Sequence, residues 1–127
     1  MTTILFIPIQ QTPTKLIKLQ QIAQKHLWEK HPLFFLVADK PSIDFLNKLL
    51  WSAENFLPHP TRFLKIDLHL DPYYPTVFNL RPSAITETSR IKTIFEFEDH
   101  TSPEKQQLFK QKYSYYKDRQ LSISLEN

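Results

Sequence analysis

The chain has 127 residues and a formal net charge of +3 at pH 7, which predicts one domain, residues 1–127, and a charge balance too weak to argue for DNA binding. It contains no Cys, which excludes a disulfide framework, a thiolate metal site and a Cys nucleophile. It also contains no Gly, so Gly-dependent phosphate loops, dinucleotide turns and nucleophile elbows are missing, and most nucleotide enzymes are disfavoured.

The first half of the chain alternates buried strands with amphipathic helices. Residues 3–8 (TILFIP) are almost continuously apolar, as expected of a strand buried on both faces. Thr12 is a plausible N-cap for a helix that runs to about Glu29. Residues 33–38 (LFFLVA) predict a second buried strand, and a second helix follows from Pro41 to about Trp51.

The second half continues with shorter strands and ends in a long helix. Apolar and polar residues alternate from Phe63 to Asp71, and residues 76–80 and 92–98 predict two further strands around a polar, irregular segment. Ser102, Pro103 and Glu104 form a helix start, and this last helix should end near Lys117 or Asp118. Residues 121–125 (LSISL) predict either an edge strand or a disordered tail.

Together these elements predict an α/β fold: a three-layer, Rossmann-like domain with a mainly parallel sheet of about five strands and a long C-terminal helix. No targeting segment precedes the first strand, and no apolar run approaches the roughly 20 residues of a membrane span. We therefore expect a soluble, cytoplasmic protein that does not enter the membrane.

Three segments, in order, resemble the chi subunit family of bacterial DNA polymerase III. They are a Leu-Trp dipeptide followed by Phe-Leu-Pro-His within residues 50–59, the strand VFNL at residues 77–80, and TIFEFED at residues 93–99 leading into a final helix with Tyr113 and Tyr116. The chain departs from the family pattern around Lys30, where a Gly is often found, and between residues 80 and 92, which lack the usual apolar helix.

The resemblance implies a Rossmann-type domain that binds no nucleotide and performs no catalysis. It implies an accessory subunit that pairs with the psi subunit of the clamp-loader complex and grips the acidic C-terminal tail of single-stranded DNA-binding protein. Such a protein would contact nucleic acid only indirectly and would need neither a cofactor nor a metal.

The predicted final helix carries a stripe suited to such a tail. Positions i, i+4, i+7 and i+11 of the helix share one face, and here they are Gln106, Lys110, Tyr113 and Lys117. An acidic tail with a terminal aromatic residue needs cations and an apolar slot. The resemblance places the tail-gripping positions at Lys110 and Tyr113, with Gln106 and Lys117 nearby; the family commonly has Arg at the position of Lys110. The alternative is an ordinary solvated helix face.

For the psi contact, the resemblance points to Trp51 and Phe56. Large aromatic side chains anchor many protein interfaces, although they are more often buried in a core. Both interpretations remain open for these two residues.

Other patterns suggest weaker alternatives. Asp67, His69 and Asp71 alternate as metal ligands on a strand would, but any half-exposed strand does the same. The acidic residues at 96, 98 and 99 suggest an acid–base pair less well than a solvated strand edge. The rival functions are a degenerate Rossmann- or flavodoxin-like small enzyme and a direct binder of single-stranded nucleic acid.

Overall fold

The computed structural model describes residues 2–50 and 63–125, and within these ranges the chain forms three helices and six strands. Trp51 and Phe56, the predicted psi-binding residues, lie outside the described residues. In chain order the elements are β1 (Thr3–Ile9), α1 (Thr12–Glu29), β2 (Leu33–Leu36), α2 (Lys40–Leu50), β3 (Leu64–Asp67), β4 (Thr76–Asn79), β5 (Thr93–Asp99), α3 (Pro103–Asp118) and β6 (Ser122–Leu125).

All pairs in the six-stranded sheet are parallel, in the order β3-β2-β4-β5-β1-β6. The prediction of an α/β, Rossmann-like domain is confirmed, with one strand more than the five expected. The additional strand is β6, which pairs with β1 from Thr3 opposite Ser122 to Phe6 opposite Leu125. Of the two alternatives for residues 121–125, the edge strand is therefore the one the chain adopts.

The sheet divides the core into two layers because successive side chains of a strand point to opposite faces. Ile7 and Ile9 of β1 pack in one cluster with residues of α1 and α2. Ile4 and Phe6 of the same strand pack in the other cluster with Tyr116 of α3. The result is three layers, with α1 and α2 on one side of the sheet and α3 on the other.

Two helix ends adopt the left-handed conformation that usually favours Gly. Lys30 follows α1 with φ 56°, and Gln120 follows α3 with φ 59°. Gln120 thereby turns the chain from α3 into β6. At the other end of α3, Ser102 is the N-cap, and its side chain accepts a hydrogen bond from the backbone N–H of Lys105 at 3.2 Å. The predicted N-cap of α1 was wrong by one residue, because Gln11 occupies that position.

Residues 80–92 contain no helix and are tied down by a few buried groups. The side chains of Ile85 and Ile91 pack in the core under α3. The hydroxyl of Thr2 donates to the carbonyl of Ile91 at 2.6 Å. The predicted irregular segment is confirmed, while the alternation predicted from Phe63 to Asp71 forms a strand only over Leu64–Asp67. None of the described helices is long and apolar enough to cross a membrane.

Candidate functional site on the last helix

The aromatic residues of α3 fix how the helix lies on the sheet. Phe109, Tyr113 and Tyr116 all pack around the ring of Phe6 on β1, with ring centroids 5.1, 5.8 and 6.3 Å away. Phe6 and Tyr116 are fully buried. Their spacing along α3 places these three side chains on the turns that face the sheet, so the rotation of the helix about its axis is determined by packing.

A buried polar network ties the same face of α3 to the sheet. Glu96 of β5 has no exposed surface. Its carboxylate accepts hydrogen bonds from the Lys112 ammonium at 2.8 Å and from the Tyr116 hydroxyl at 2.5 Å. The side-chain amide of Asn79 on β4 donates to it at 2.7 Å. Tyr116 in turn accepts a hydrogen bond from the backbone N–H of Ile85 at 3.0 Å.

This network is electrostatically costly and fully partnered. Burial raises the pKa of the Glu96 carboxyl, and the charge of Lys112 and the three hydrogen bonds oppose that shift. Burial and the neighbouring carboxylate also raise the pKa of the Tyr116 hydroxyl. Within residues 2–50 and 63–125, no buried side-chain nitrogen or oxygen is left without a partner, as native interiors require.

The network corrects one expectation from the sequence. Glu96 was expected on a solvated strand edge with the neighbouring acids, which is wrong because β5 is an inner strand and α3 covers this face. Lys112 is also buried, against Glu96, so it adds no net charge to the surface of the helix. Its i, i+4 spacing with Tyr116 was the signal, since it places both on one helix face.

The predicted stripe of Gln106, Lys110, Tyr113 and Lys117, called the basic stripe below, runs along one flank of α3. Lys110 and Lys117 are exposed, whereas Gln106 and Tyr113 are half-buried. The Tyr113 ring packs at 6.1 Å from Phe109 as well as on Phe6. The stripe therefore combines two solvated cations, Lys110 and Lys117, with the ring of Tyr113, one face of which packs on the core.

At the N-terminal end of the basic stripe, Gln106 forms a polar pair with His100, which directly follows β5. Gln106 and His100 are hydrogen-bonded, with 3.0 Å between Nε2 and Nδ1. His100 is also in contact with the carboxylate of Glu98 through its other ring nitrogen. These contacts hold Gln106 in place, while the ammonium groups of Lys110 and Lys117 extend into solvent.

The suggested metal ligands on and after β3 do not converge. Asp71 accepts hydrogen bonds from the Lys65 ammonium and from the backbone N–H of Tyr73, both at 3.0 Å. In the described part of the chain, no three His, Asp or Glu side chains are arranged to hold a metal ion.

Comparison with known families matches residues 1–124 to the family described as DNA polymerase III chi subunit, HolC. The match spans both the sheet and α3, including every residue of the basic stripe. Among curated proteins, none matches the chain.

Proposed function

The chain belongs to the DNA polymerase III chi subunit family, and we propose that it is a non-catalytic adaptor in the cytoplasm. One surface, the basic stripe, holds the acidic C-terminal tail of single-stranded DNA-binding protein. A second surface around Trp51 and Phe56 docks the psi subunit or an equivalent part of the clamp-loader complex. The adaptor would thereby link the polymerase to coated single-stranded DNA without binding nucleic acid itself.

The observation that carries the tail-binding proposal is the combination of charge and aromatic surface on one helix flank. Lys110 and Lys117 are exposed and lie one turn before and one turn after the half-buried ring of Tyr113. Ammonium groups bind carboxylates through charge-assisted hydrogen bonds. The open side of the Tyr113 ring offers an apolar contact for a terminal aromatic residue.

The rigidity of α3 supports the same proposal. A binding surface gains affinity when its side chains are held in place before the ligand arrives, because less conformational freedom is lost. The Phe6 contacts and the Glu96–Lys112 ion pair fix the position of α3 on the sheet. The basic stripe is therefore mounted on a helix that cannot easily rotate or slide.

The tail-binding proposal is tested by fluorescence anisotropy. A labelled acidic peptide with the C-terminal sequence of the organism's single-stranded DNA-binding protein is titrated with the full chain, beside the same peptide without its terminal aromatic residue. We expect saturable, salt-sensitive binding that the truncated peptide loses. Lys110→Ala should weaken binding about fivefold and flatten its salt dependence, whereas Lys25→Ala, on the opposite side of the sheet, should not.

Two outcomes would contradict the proposal. If Lys110→Ala binds the tail as tightly as the parent chain does, the tail does not use the basic stripe. If a single-stranded oligonucleotide binds in the absence of any protein partner, and competes with the peptide, then the chain acts directly on nucleic acid.

The psi proposal has a separate test. Trp51→Ala and Phe56→Ala should abolish co-elution with the psi subunit in size-exclusion chromatography, because aromatic anchors dominate many interfaces. Tail binding in the anisotropy assay should stay within about twofold of the parent value, since the proposal assigns the tail to the basic stripe and not to these residues. Retained co-elution by both variants would remove these residues from the psi interface.

A further inference from the structure

A cavity of about 570 Å³ opens at the carboxyl ends of the parallel strands. It is lined by residues of α1, α2 and α3 and of the ends of β4 and β5. The connection from β1 to β2 runs through α1 on one face of the sheet. The connection from β5 to β6 runs through α3 on the other face. Open parallel sheets bind ligands at such a point, because the two crossovers leave a crevice between them. The volume falls in the range of small-molecule sites.

The walls of this cavity are mainly apolar. Leu16 and Leu19 of α1, Phe45 of α2 and Leu108 of α3 contribute to them. Phe45 is 52% exposed, which is unusual for a large aromatic side chain that has a core beside it. An apolar ligand body in the cavity would cover the ring of Phe45 and remove this surface from water.

Among the charged side chains that line the cavity, cations outnumber carboxylates. Lys15 forms an ion pair with Asp99, which also accepts a hydrogen bond from the Thr101 hydroxyl at 2.6 Å. The carboxylate of Asp39 accepts hydrogen bonds from the hydroxyl and the backbone N–H of Ser42, at 2.6 and 3.0 Å. Each lining carboxylate is thus already satisfied by the protein.

Lys105 and Arg81 are the cations left over. Neither takes part in an ion pair among the residues that the structure describes. Repulsion from Lys15 is the main reason why the pKa of Lys105 is lowered, and the charge of Asp99 opposes this shift. Lys112, the fourth lining cation, is neutralised by Glu96. An anion bound beside Lys15 and Lys105 would relieve the repulsion between these two ammonium groups.

We propose that this cavity binds a small hydrophobic carboxylate, with its carboxylate group against Lys105 and its aromatic or branched apolar body against Phe45 and Leu108. A singly charged group suits the site because Asp39 and Asp99 offset two of the cations. The anion would be held by side-chain ammonium groups, which need no Gly, whereas the backbone cradle of a nucleotide phosphate normally does.

The site is separate from the basic stripe. Lys105 and Leu108 line the cavity, whereas Gln106 and Lys110 are on the neighbouring flank of α3. A ligand in the cavity and an acidic tail on the stripe would therefore bind to different charged side chains, and neither proposal depends on the other.

The test is a titration of the full ¹⁵N-labelled chain with 2-naphthoate, followed by two-dimensional NMR. We expect saturable shifts concentrated at the backbone amides of Leu16, Phe45 and Leu108. The neutral analogue 2-naphthylmethanol should bind about tenfold more weakly, because it lacks the charge that Lys105 would bind. Lys105→Gln should cause a similar loss, while Lys110→Gln, on the other flank, should leave the affinity unchanged.

A second variant tests the apolar wall. Phe45→Ala removes a half-exposed side chain and should weaken 2-naphthoate binding about fivefold without unfolding the protein. The proposal is overturned if the neutral analogue binds as well as the carboxylate, or if Lys105→Gln has no effect. It is also overturned if the acidic tail peptide displaces 2-naphthoate, because the cavity would then belong to the tail site. Anisotropy with the tail peptide alone reports on the adaptor proposal and is unaffected by these outcomes.

Discussion

On the side of α3 that faces β5, Lys112 is buried against Glu96, while on the next flank Lys110 extends into solvent. The two side chains are chemically identical and two residues apart. One holds the helix to the sheet, and the other is available to a partner. The comparison shows that a count of basic residues on a helix does not measure its surface charge. A buried lysine instead gives the helix a fixed position from which the exposed lysines act.

The largest expected effect is on the free energy of unfolding, which should fall for a variant at Lys112 and hardly change for a variant at Lys110. Lys112→Ala leaves the carboxylate of Glu96 buried without its cation, which should lower the free energy of unfolding by about 3 to 5 kcal/mol. Lys110→Ala should change it by less than about 0.5 kcal/mol. Urea denaturation of the two variants measures both values. Equal losses would mean that the two flanks do not differ as the burial of Lys112 indicates.

A smaller loss is expected from Tyr116→Phe, which keeps the packed ring and removes only the hydroxyl. The Glu96 carboxylate then loses a donor and the backbone N–H of Ile85 loses its acceptor, at a cost of about 1 to 3 kcal/mol. Thermal denaturation measures the loss, and hydrogen exchange at the Ile85 amide should become faster. Tyr115→Phe is the matched control, and a similar loss in that variant would contradict the role of the Tyr116 hydroxyl.

The ion pair between Lys15 and Asp99, at the end of β5, should make part of the stability depend on pH. Burial alone would raise the pKa of Asp99, but hydrogen bonds from Lys15 and Thr101 outweigh it and leave the pKa below its ordinary value. A lowered pKa stabilises the fold above the unfolded pKa, and this contribution is lost as the pH falls through the folded value. Asp99→Asn should therefore be less stable than the parent by about 1 kcal/mol at pH 7.

The disadvantage of this variant should begin to shrink below about pH 4, where the unfolded parent chain takes up a proton at Asp99, and it should disappear only as the pH falls through the lower folded pKa. Urea denaturation at pH 7, 5 and 3 follows the difference. Asp44→Asn, on the exposed side of α2, is the control. A difference between parent and Asp99→Asn that stays constant over this range would show that the charge of Asp99 contributes nothing to stability.

The smallest expected effect sharpens the role of the exposed flank. Lys110→Arg introduces a planar group that binds a carboxylate through two hydrogen bonds, so tail affinity should rise about two- to threefold. Anisotropy with the tail peptide measures the change, and Lys25→Arg should leave it unaltered. A weaker affinity for Lys110→Arg would indicate that the tail recognises the compact ammonium group.

Local patterns were enough to predict the parallel α/β fold. The apolar run of β1 and the Ser-Pro-Glu start of α3 each report on a structure formed by neighbouring residues. The buried network could not be found in this way, because Glu96 and Lys112 meet only after α3 has folded back over β5. The TIFEFED segment places Glu96 between two Phe residues, and the strand period alone does not say that its face will be covered.

The basic stripe likewise shows which features helical spacing can predict and which depend on tertiary contacts. Helical spacing predicted that Lys110 and Tyr113 share a flank, and α3 has the regular geometry that this requires. Spacing could not predict that Tyr113 is half-buried by Phe6, which belongs to the first strand of the chain. The pairing of β6 with β1 was equally beyond local patterns, because it depends on the left-handed turn at Gln120.

The position of β1 in the sheet also has a consequence for protein synthesis. Thr3 pairs with Thr93 on β5 and with Ser122 on β6. At about 5 to 20 residues per second, a ribosome would make the first of these partners roughly 5 to 20 s after β1. During that interval an apolar strand has no hydrogen-bonding neighbour. The nascent chain therefore carries an unpaired apolar strand for several seconds, and such a strand is prone to aggregate.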